Sequence, residues 1–455
     1  MKINIIGLGK LGYPMSLFLS SSGHKINCYD KDSSIYEKIK DSSYLVHEEN
    51  LSDFKEYNNN LFYFDNIQSS FEDTSISFIT VPTPSKLDGS FSLDIIKLIL
   101  DEIGIYLKKN KKVNYPYLIN ICSTVSPYSC ENELIPYLEN KYDLKEGVDF
   151  VLVYNPYFVA LGSVVKALLN PDFVLIGSRN QENINNLLTI YNAIYSKDVK
   201  FKILSLTEAE IAKIFVNTFL TLKISFANYI QLLTNEDKEL SASKILDAIG
   251  EDKRVGKDFL QPGLPYGGPC LPRDNHAVIN FVNKLNIESP INKSAELVNN
   301  YFTTFLFGQI DYLVKNNIKK ISFIGLGYRP NTDCVEDSVS LKLIDYCIEN
   351  NCEVLLYDFY IKESYKNLKK FSHFDQLLLN SDIIFVPYKD KKFNQLLNFN
   401  KKKIIVLDFF SQFDNNNNNN NNNIKITNNL KNVDLDFIKM EYEGKNNSKV
   451  VHLKK

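Results

Sequence analysis

Short apolar runs alternate with helically spaced segments through the first part of this chain. The first run, Ile3 to Ile6, is apolar but for Asn4 and stops at Gly7. Others lie at Lys25 to Tyr29, Ile76 to Val81, Tyr117 to Cys122 and Phe150 to Val153. Between them, segments such as Ser92 to Lys109 repeat apolar residues with the period of a helix. Strands that are apolar at successive positions are covered on both faces, as in a parallel sheet flanked by helices. With the right-handed crossover rule, the pattern predicts an α/β domain built on a doubly wound parallel sheet.

The pattern then changes. Thr207 to Leu233 has no strand signal and predicts one long helix, apolar on more than one narrow stripe, so that several neighbours cover it. Helical segments continue at Ser243 to Ile249 and around Ala295 to Val314. After them the opening nearly recurs: INIIGLGKLGYP is echoed by ISFIGLGYRPNT at Ile321 to Thr332. The strand ending at Asp30 is echoed by one ending at Asp358, with further strands at Ile383 to Val386 and Ile404 to Leu407. Two Rossmann-like α/β domains around a helical centre are therefore predicted, with boundaries at residues 1–200, 201–300 and 301–455. The second copy lacks the third glycine, so no dinucleotide is assigned to it.

A length of 455 residues suits about three domains. The 52 Lys and Arg nearly cancel the 54 Asp and Glu, leaving a net charge of -2 and no basic footprint for nucleic acid. No apolar run approaches the ~18 residues of a membrane span, and the N-terminal run reads as a buried strand. Seven cysteines without a CxxC pair argue against a disulfide framework and a zinc knuckle. The expectation is a cytoplasmic protein with free thiols, no metal site and no membrane or nucleic-acid partner. The asparagine run Asn415 to Asn423 cannot supply a core and is expected to be a surface loop outside the chemistry.

Gly7, Gly9 and Gly12 form GxGxxG between a strand and a helix, and Asp30 ends the next strand. Glycines allow a tight turn and close backbone approach to a pyrophosphate, which a helix N-terminus favours. Asp30 would accept hydrogen bonds from ribose hydroxyls and repel a 2′-phosphate, which favours NAD over NADP. The bland alternative is a Gly-rich turn that binds nothing; the strand, helix and acid in place weigh against it. Cys270 follows two glycines and lies between Pro269 and Pro272, where a rigid loop presents its side chain. A cysteine alone is more often a small buried hydrophobe, but Arg254, Arg273 and Asp274 nearby make an activated thiolate an equal alternative. Lys213 and Asn217 share one helix face. They form either a solvated stripe or, given Ile211, Ile214, Phe215, Val216 and Phe219 around them, a lined pocket for an oxyanion or a water.

GGPCLPRD, NPYFVALGSVVKALLNPDFVLIG, EAEIAKIFVNTFLTLKISFANYI, VPTP, STVSP and GLGYRPNTD together resemble the UDP-glucose/GDP-mannose dehydrogenase family. The resemblance runs in order through nearly the whole chain and weakens after about Asp358. It implies a nucleotide-sugar 6-dehydrogenase that oxidises a C6 alcohol to a carboxylate with two NAD, nearest to those acting on UDP-glucose. GDP-mannose and UDP-N-acetylhexosamines stay open as substrates. It further implies that Cys270 is the nucleophile, that Lys213 and Asn217 handle the oxyanion and the water, and that Asp274 is their acidic partner. Thr124 would assist alcohol deprotonation through water. Cofactor contacts are implied at Gly7, Gly9, Leu11, Gly12, Asp30, Thr83, Thr124 and Arg273. Substrate contacts are implied at Phe158, Val159, Lys213, Asn217, Tyr266, Gly267, Tyr328 and Arg329. Arg254 would reach the sugar site of a neighbouring subunit, so a homodimer or higher homo-oligomer is implied.

The chain departs from the family pattern at NPYFVALG, where NPEFLREG is common. Tyr157 replaces a glutamate tied to proton transfer and thioester hydrolysis, and Leu161 replaces a second glutamate. Glu336 stands where many members have arginine, and Asp408 to Phe410 lacks an arginine often found near the substrate. A phenol is a poor base at neutral pH. Three readings follow: a full four-electron dehydrogenase with water activated by Asp274 and Lys213, an enzyme that stalls at thioester or aldehyde, or a weakened nucleotide-sugar-binding protein. A hydroxyacid-type NAD dehydrogenase would need a histidine base, and none of His24, His47, His276, His373 and His452 lies in a matching motif.

Overall fold

The computed structural model describes residues 1–44, 48–110, 116–237, 239–410, 412–413, 423–435 and 438. The expected asparagine loop lies, apart from Asn423, outside the described residues. Contacts divide the chain into two compact units, Met1–Asn217 with Arg273–Glu288, and Thr218–Pro272 with Ser289–Lys455.

The first unit holds a sheet of eight strands: β1 (Lys2–Ile6), β2 (Lys25–Tyr29), β3 (Leu61–Tyr63), β4 (Ile76–Ile79), β5 (Tyr117–Ile121), β6 (Phe150–Tyr154), β7 (Phe173–Gly177) and β8 (Lys200–Leu204). Their order is β3-β2-β1-β4-β5-β6-β7-β8. Neighbours pair in parallel except β6 and β7, which meet antiparallel at Tyr154 and Gly177. Side chains alternate between the two faces of each strand. Ile5, Phe78, Leu118 and Val151 therefore enter one apolar cluster, and Ile6, Ile79, Ile119 and Leu152 the other. Covering both faces is what the continuous apolar runs require.

The second unit holds β9 (Lys320–Ile324), β10 (Glu353–Tyr357), β11 (Lys369–Lys370), β12 (Ile383–Val386), β13 (Ile404–Asp408) and β14 (Ile424–Thr427), in the order β11-β10-β9-β12-β13-β14. This repeats the order of the first six strands of the other sheet, and the register repeats with it. Lys2 faces Lys25 and Ile6 faces Tyr29; Lys320 faces Glu353 and Ile324 faces Tyr357. Gly7 N–H donates to the Tyr29 carbonyl at 2.8 Å, and Gly325 N–H to the Tyr357 carbonyl at 2.8 Å. The sequence echo is thus a repeated βαβ unit.

Four long helices follow the first sheet: Leu206–Thr234, Ala242–Gly250, Leu271–Lys284 and Pro290–Lys315. The predicted Thr207–Leu233 helix matches the first of them to within one residue. In the first unit its Ile214 packs with Phe91, Ala277 and Val278. In the second, its Ala227 packs with Ala242, Leu246 and Leu260. Among the described residues, no helix is long and apolar enough to cross a membrane.

Candidate active site

The turn after β1 is shaped by two glycines. Gly7 has φ +95, a left-handed conformation that side chains disfavour. A Cβ on Gly12 would lie 1.8 Å from the Gly7 carbonyl oxygen and 2.6 Å from Thr80 Oγ1. Gly9, by contrast, has nothing within 4 Å of such a Cβ. The backbone there borders open space ahead of the helix Gly12–Ser21, which suits the approach of a diphosphate. Asp30 locks this turn: its carboxylate accepts from Leu8 N–H at 2.6 Å and from Asp32 N–H at 2.9 Å, and the residue stays half-exposed. The residues fit NAD, with the ribose falling to Asp30 and the diphosphate to the turn. Leu11 precedes the helix and packs on the adjacent core.

The second copy keeps the turn and loses the cradle. Asp358 accepts from Leu326 N–H at 2.6 Å, as Asp30 does from Leu8, but it is buried and also takes Tyr360 and Ile361 N–H. A Cβ on Gly325 would meet Tyr388 Oη at 2.7 Å and Pro387 at 2.8 Å, so side chains crowd the position that Thr80 occupies in the first unit.

Thr83 and Thr124 lie past the ends of β4 and β5. Thr83 Oγ1 donates to the Thr124 carbonyl at 2.7 Å, which ties the two loops at the crevice where strand order reverses. The Thr124 loop is also held from behind. Glu210, fully buried on the long helix, accepts from Tyr128 N–H at 2.6 Å and Cys130 N–H at 2.7 Å, with Tyr128 at φ +70. Burial pushes the Glu210 carboxyl up to about 7 against those hydrogen bonds. No role for Glu210 was read from the sequence; its spacing of three from Lys213 was the available signal.

One turn further along that helix, Lys213 is 7% exposed. Its ammonium donates to the Tyr157 carbonyl at 2.8 Å and sits 4.5 Å from the Phe158 ring centroid. Asn217 Nδ2 donates to Asp274 Oδ2 at 2.6 Å, and Asp274 is 1% exposed. Arg273 Nε lies 3.4 Å from Asp274 Oδ1, with its guanidinium 4.8 Å from the Phe91 ring centroid. The structure thus brings Lys213, Asn217, Arg273, Asp274 and Phe158 together in the first unit. A buried ammonium and carboxylate with a half-buried amide, each hydrogen-bonded, can stabilise an oxyanion and orient a water.

Tyr157 contributes only its backbone to this cluster. Its hydroxyl meets Tyr191 Oη at 2.6 Å, and Tyr191 in turn donates to Asn155. Burial pushes the Tyr157 phenol well above its ordinary value, so it is no base. Val159 packs on the same core. Near the missing glutamate of Leu161, a carboxylate arrives from elsewhere: Glu48 accepts from Gly162 N–H at 3.1 Å and Val165 N–H at 3.2 Å. Nothing in the spacing of the sequence pointed to Glu48.

In the second unit, Cys270 is exposed and carries no disulfide. The rigid loop expected to present Cys270 ends here: Cys270 directly precedes the helix Leu271–Lys284, so Arg273 and Asp274 stand in its first turn. Unpaired N–H groups of a first turn favour nearby negative charge. Glycines press the preceding segment onto its neighbours. A Cβ on Gly268 (φ +81) would lie 2.3 Å from the Tyr328 ring, and one on Gly267 2.3 Å from the Asp337 carbonyl oxygen. Tyr266 exchanges two backbone hydrogen bonds with the Asn299 amide, at 2.7 and 3.0 Å. Tyr266, Gly267, Cys270, Tyr328 and Arg329 are thereby gathered in one region, and burial pushes the Tyr328 phenol up to about 12. Arg254 stands apart, 89% exposed and paired with Asp252.

Comparisons with known proteins bear on the family and the fold. Three models of the UDP-glucose/GDP-mannose dehydrogenase family match: the NAD binding domain over residues 1–195, the central domain over 207–301 and the UDP binding domain over 322–415. A UDP-glucose 6-dehydrogenase of Rickettsia typhi is 31% identical over 407 residues, covering 87% of this chain and 91% of that one. A GDP-mannose 6-dehydrogenase of Pseudomonas savastanoi is 26% identical over 91% of this chain and 97% of its own length. The structure of a UDP-glucose dehydrogenase from Pyrobaculum islandicum shares the fold with a TM-score of 0.79 at 24% identity, over 90% of this chain and 95% of that one. With the cradle of Gly7, Gly9 and Gly12 inside its NAD binding domain, this chain belongs to the UDP-glucose/GDP-mannose dehydrogenase family of NAD-dependent nucleotide-sugar dehydrogenases.

Proposed function

We propose that the protein oxidises the C6 alcohol of UDP-glucose to the carboxylate in two steps, through a covalent adduct on Cys270. NAD held at Gly7, Gly9, Gly12 and Asp30 would supply the hydride acceptor for each oxidation. Thr124 holds the water that takes the alcohol proton. The Cys270 thiolate adds to the aldehyde carbon, giving a thiohemiacetal whose oxygen is balanced by the Lys213 ammonium. Loss of the second hydride leaves a thioester. Asn217 and Asp274 orient a water that cleaves it, releasing the carboxylate and restoring the thiol. Substrate contacts are assigned to Tyr266, Gly267, Tyr328 and Arg329 in the second unit and to Phe158 and Val159 in the first.

The observation that carries this reading is the Lys213–Asn217–Asp274 cluster, its lysine and aspartate buried, with Asp274 in the first turn of the helix that follows Cys270. A homodimer fits two further observations. Phe219, Phe226 and Leu233 are exposed at heptad spacing on the long helix, with Leu222 and Tyr229 between them. Arg254 is exposed to solvent, paired with Asp252, where a partner subunit could reach it.

A second reading has one observation in its favour. With the Tyr157 hydroxyl bound to Tyr191, the loop offers no carboxylate to the thioester, and hydrolysis falls to Asp274 alone. A slow final step would follow. The test is a panel of UDP-glucose, UDP-N-acetylhexosamines and GDP-mannose with NAD, following both NADH and the sugar product. Turnover fastest with UDP-glucose supports the proposal; binding of nucleotide sugars without any NADH contradicts it. A Cys270→Ser variant that forms the acid at the wild-type rate would remove the covalent route.

A further inference from the structure

Six of the seven cysteines have no part in the chemistry proposed above. Cys28, Cys122 and Cys130 are buried, and burial pushes their thiols up. Cys347 and Cys352 are placed differently. The helix Val339–Glu349 ends in a Schellman motif: Asn351 has φ +55, Cys352 N–H donates to the Cys347 carbonyl at 2.9 Å, and Asn351 N–H to the Ile348 carbonyl at 3.0 Å. This motif folds the residue after the turn back onto the last helical turn, where the pair in contact is ordinarily apolar. Here both members are cysteines, Cys347 in the last helical turn and Cys352 after the left-handed Asn351, and the Cys352 thiol donates to the Asn350 carbonyl at 3.9 Å.

The two sulfurs have unequal surroundings. Cys347 is fully buried, whereas Cys352 is half-exposed beside β10, next to Glu353, whose N–H donates to the Lys319 carbonyl at 2.6 Å. The neighbouring Cys347 thiol draws the Cys352 thiol below its ordinary value, and the Lys319 cation acts in the same direction. The nearness of Cys352, together with burial, pushes the Cys347 thiol up. An accessible thiolate backed by a protonated inner thiol is the arrangement that thiol–disulfide exchange uses.

We infer that Cys347 and Cys352 form a dithiol that closes reversibly into a disulfide by exchange with a small disulfide such as oxidised glutathione. The Cys352 thiolate attacks one sulfur of the small disulfide, whose S–S bond breaks to release one thiolate and leave a mixed disulfide. The Cys347 thiol gives its proton to that released thiolate, attacks the Cys352 sulfur and expels the second small thiol. Two electrons pass from the protein to the small disulfide, so the protein loses two hydrogens and two small thiols form. Neither sulfur enters the dehydrogenase chemistry, so the inference stands apart from the proposed function.

The test uses the full chain in buffers of reduced and oxidised glutathione, quenched, alkylated and digested with trypsin. The peptide from Leu343 to Lys362 contains both cysteines. The expected result in oxidising buffer is a peptide lacking two hydrogens and resistant to alkylation, restored by dithiothreitol. Cys347→Ser is expected to stop at a glutathione adduct on Cys352, and Cys352→Ser to give neither product. Wild-type peptide that remains fully alkylatable, or that keeps the glutathione adduct, overturns the inference. The wild-type result decides the matter even where a variant fails to fold.

Discussion

The two glycines of the nucleotide turn make opposite demands, and a pair of alanine substitutions separates them. In Gly12→Ala, the new methyl would start 1.8 Å from the Gly7 carbonyl oxygen, where Cβ contacts below 3.0 Å essentially do not occur. The turn would have to open by about 1.2 Å, which counts as overpacking at about 1–3 kcal/mol. At about 1.4 kcal/mol per decade, that corresponds to roughly 5- to 150-fold weaker NAD binding. Thermal stability falls with it, by about 2–4 °C per kcal/mol. In Gly9→Ala the methyl meets nothing within 4 Å, so the fold should be unaffected. The methyl instead fills the space in which the diphosphate approaches, and NAD affinity is expected to drop by about tenfold or more. Calorimetric titration with NAD and a thermal scan of each variant read both quantities. Gly9→Ala binding NAD as tightly as wild type would place the diphosphate elsewhere, and Gly12→Ala with unchanged affinity and melting temperature would refute the steric argument.

Other outcomes follow from the same geometry. Glu210 binds its proton up to about pH 7 in the folded state against a reference of 4.5, so the folded protein holds the extra proton and its contribution to stability is lost as pH rises from 4.5 through 7. At about 1.4 kcal/mol per unit the effect is on the order of 3 kcal/mol, and Glu210→Gln should flatten that part of the profile in denaturant titrations; parallel profiles would contradict it. Tyr157→Phe should leave turnover within about twofold and cost about 1 kcal/mol of stability, since its hydroxyl serves Tyr191; a tenfold loss of turnover would put the phenol in the chemistry. Phe226→Asp introduces a charge on the exposed apolar stripe and should convert the dimer to monomer in sedimentation; a wild type that already sediments as a monomer would dismiss that interface.

The strands were legible because a sheet covered on both faces demands largely apolar runs, and β1, β5 and β6 show them plainly. Shorter or more polar strands, such as β3 and β11, were not, since Leu61–Tyr63 and Lys369–Lys370 carry little periodic signal. The long helix was legible from its spacing, and with it the shared face of Lys213 and Asn217. That Asp274 is the partner of Asn217 is a long-range contact, 57 residues apart, which no local pattern encodes. The structure also separates side chain from backbone at Tyr157. Its substitution reads in sequence as a lost base, but the phenol is committed to the interior and the carbonyl to Lys213. Glu48 and Glu210 escaped notice because their carboxylates serve backbone N–H groups far along the chain, 114 and 82 residues away.

The central claim is four-electron oxidation of a nucleotide sugar through Cys270. It is tested most directly by counting NADH released when limiting UDP-glucose is consumed completely under excess NAD. The account predicts two NADH per UDP-glucose and a carboxylate product. One NADH with an aldehyde product, or none at all, would contradict it.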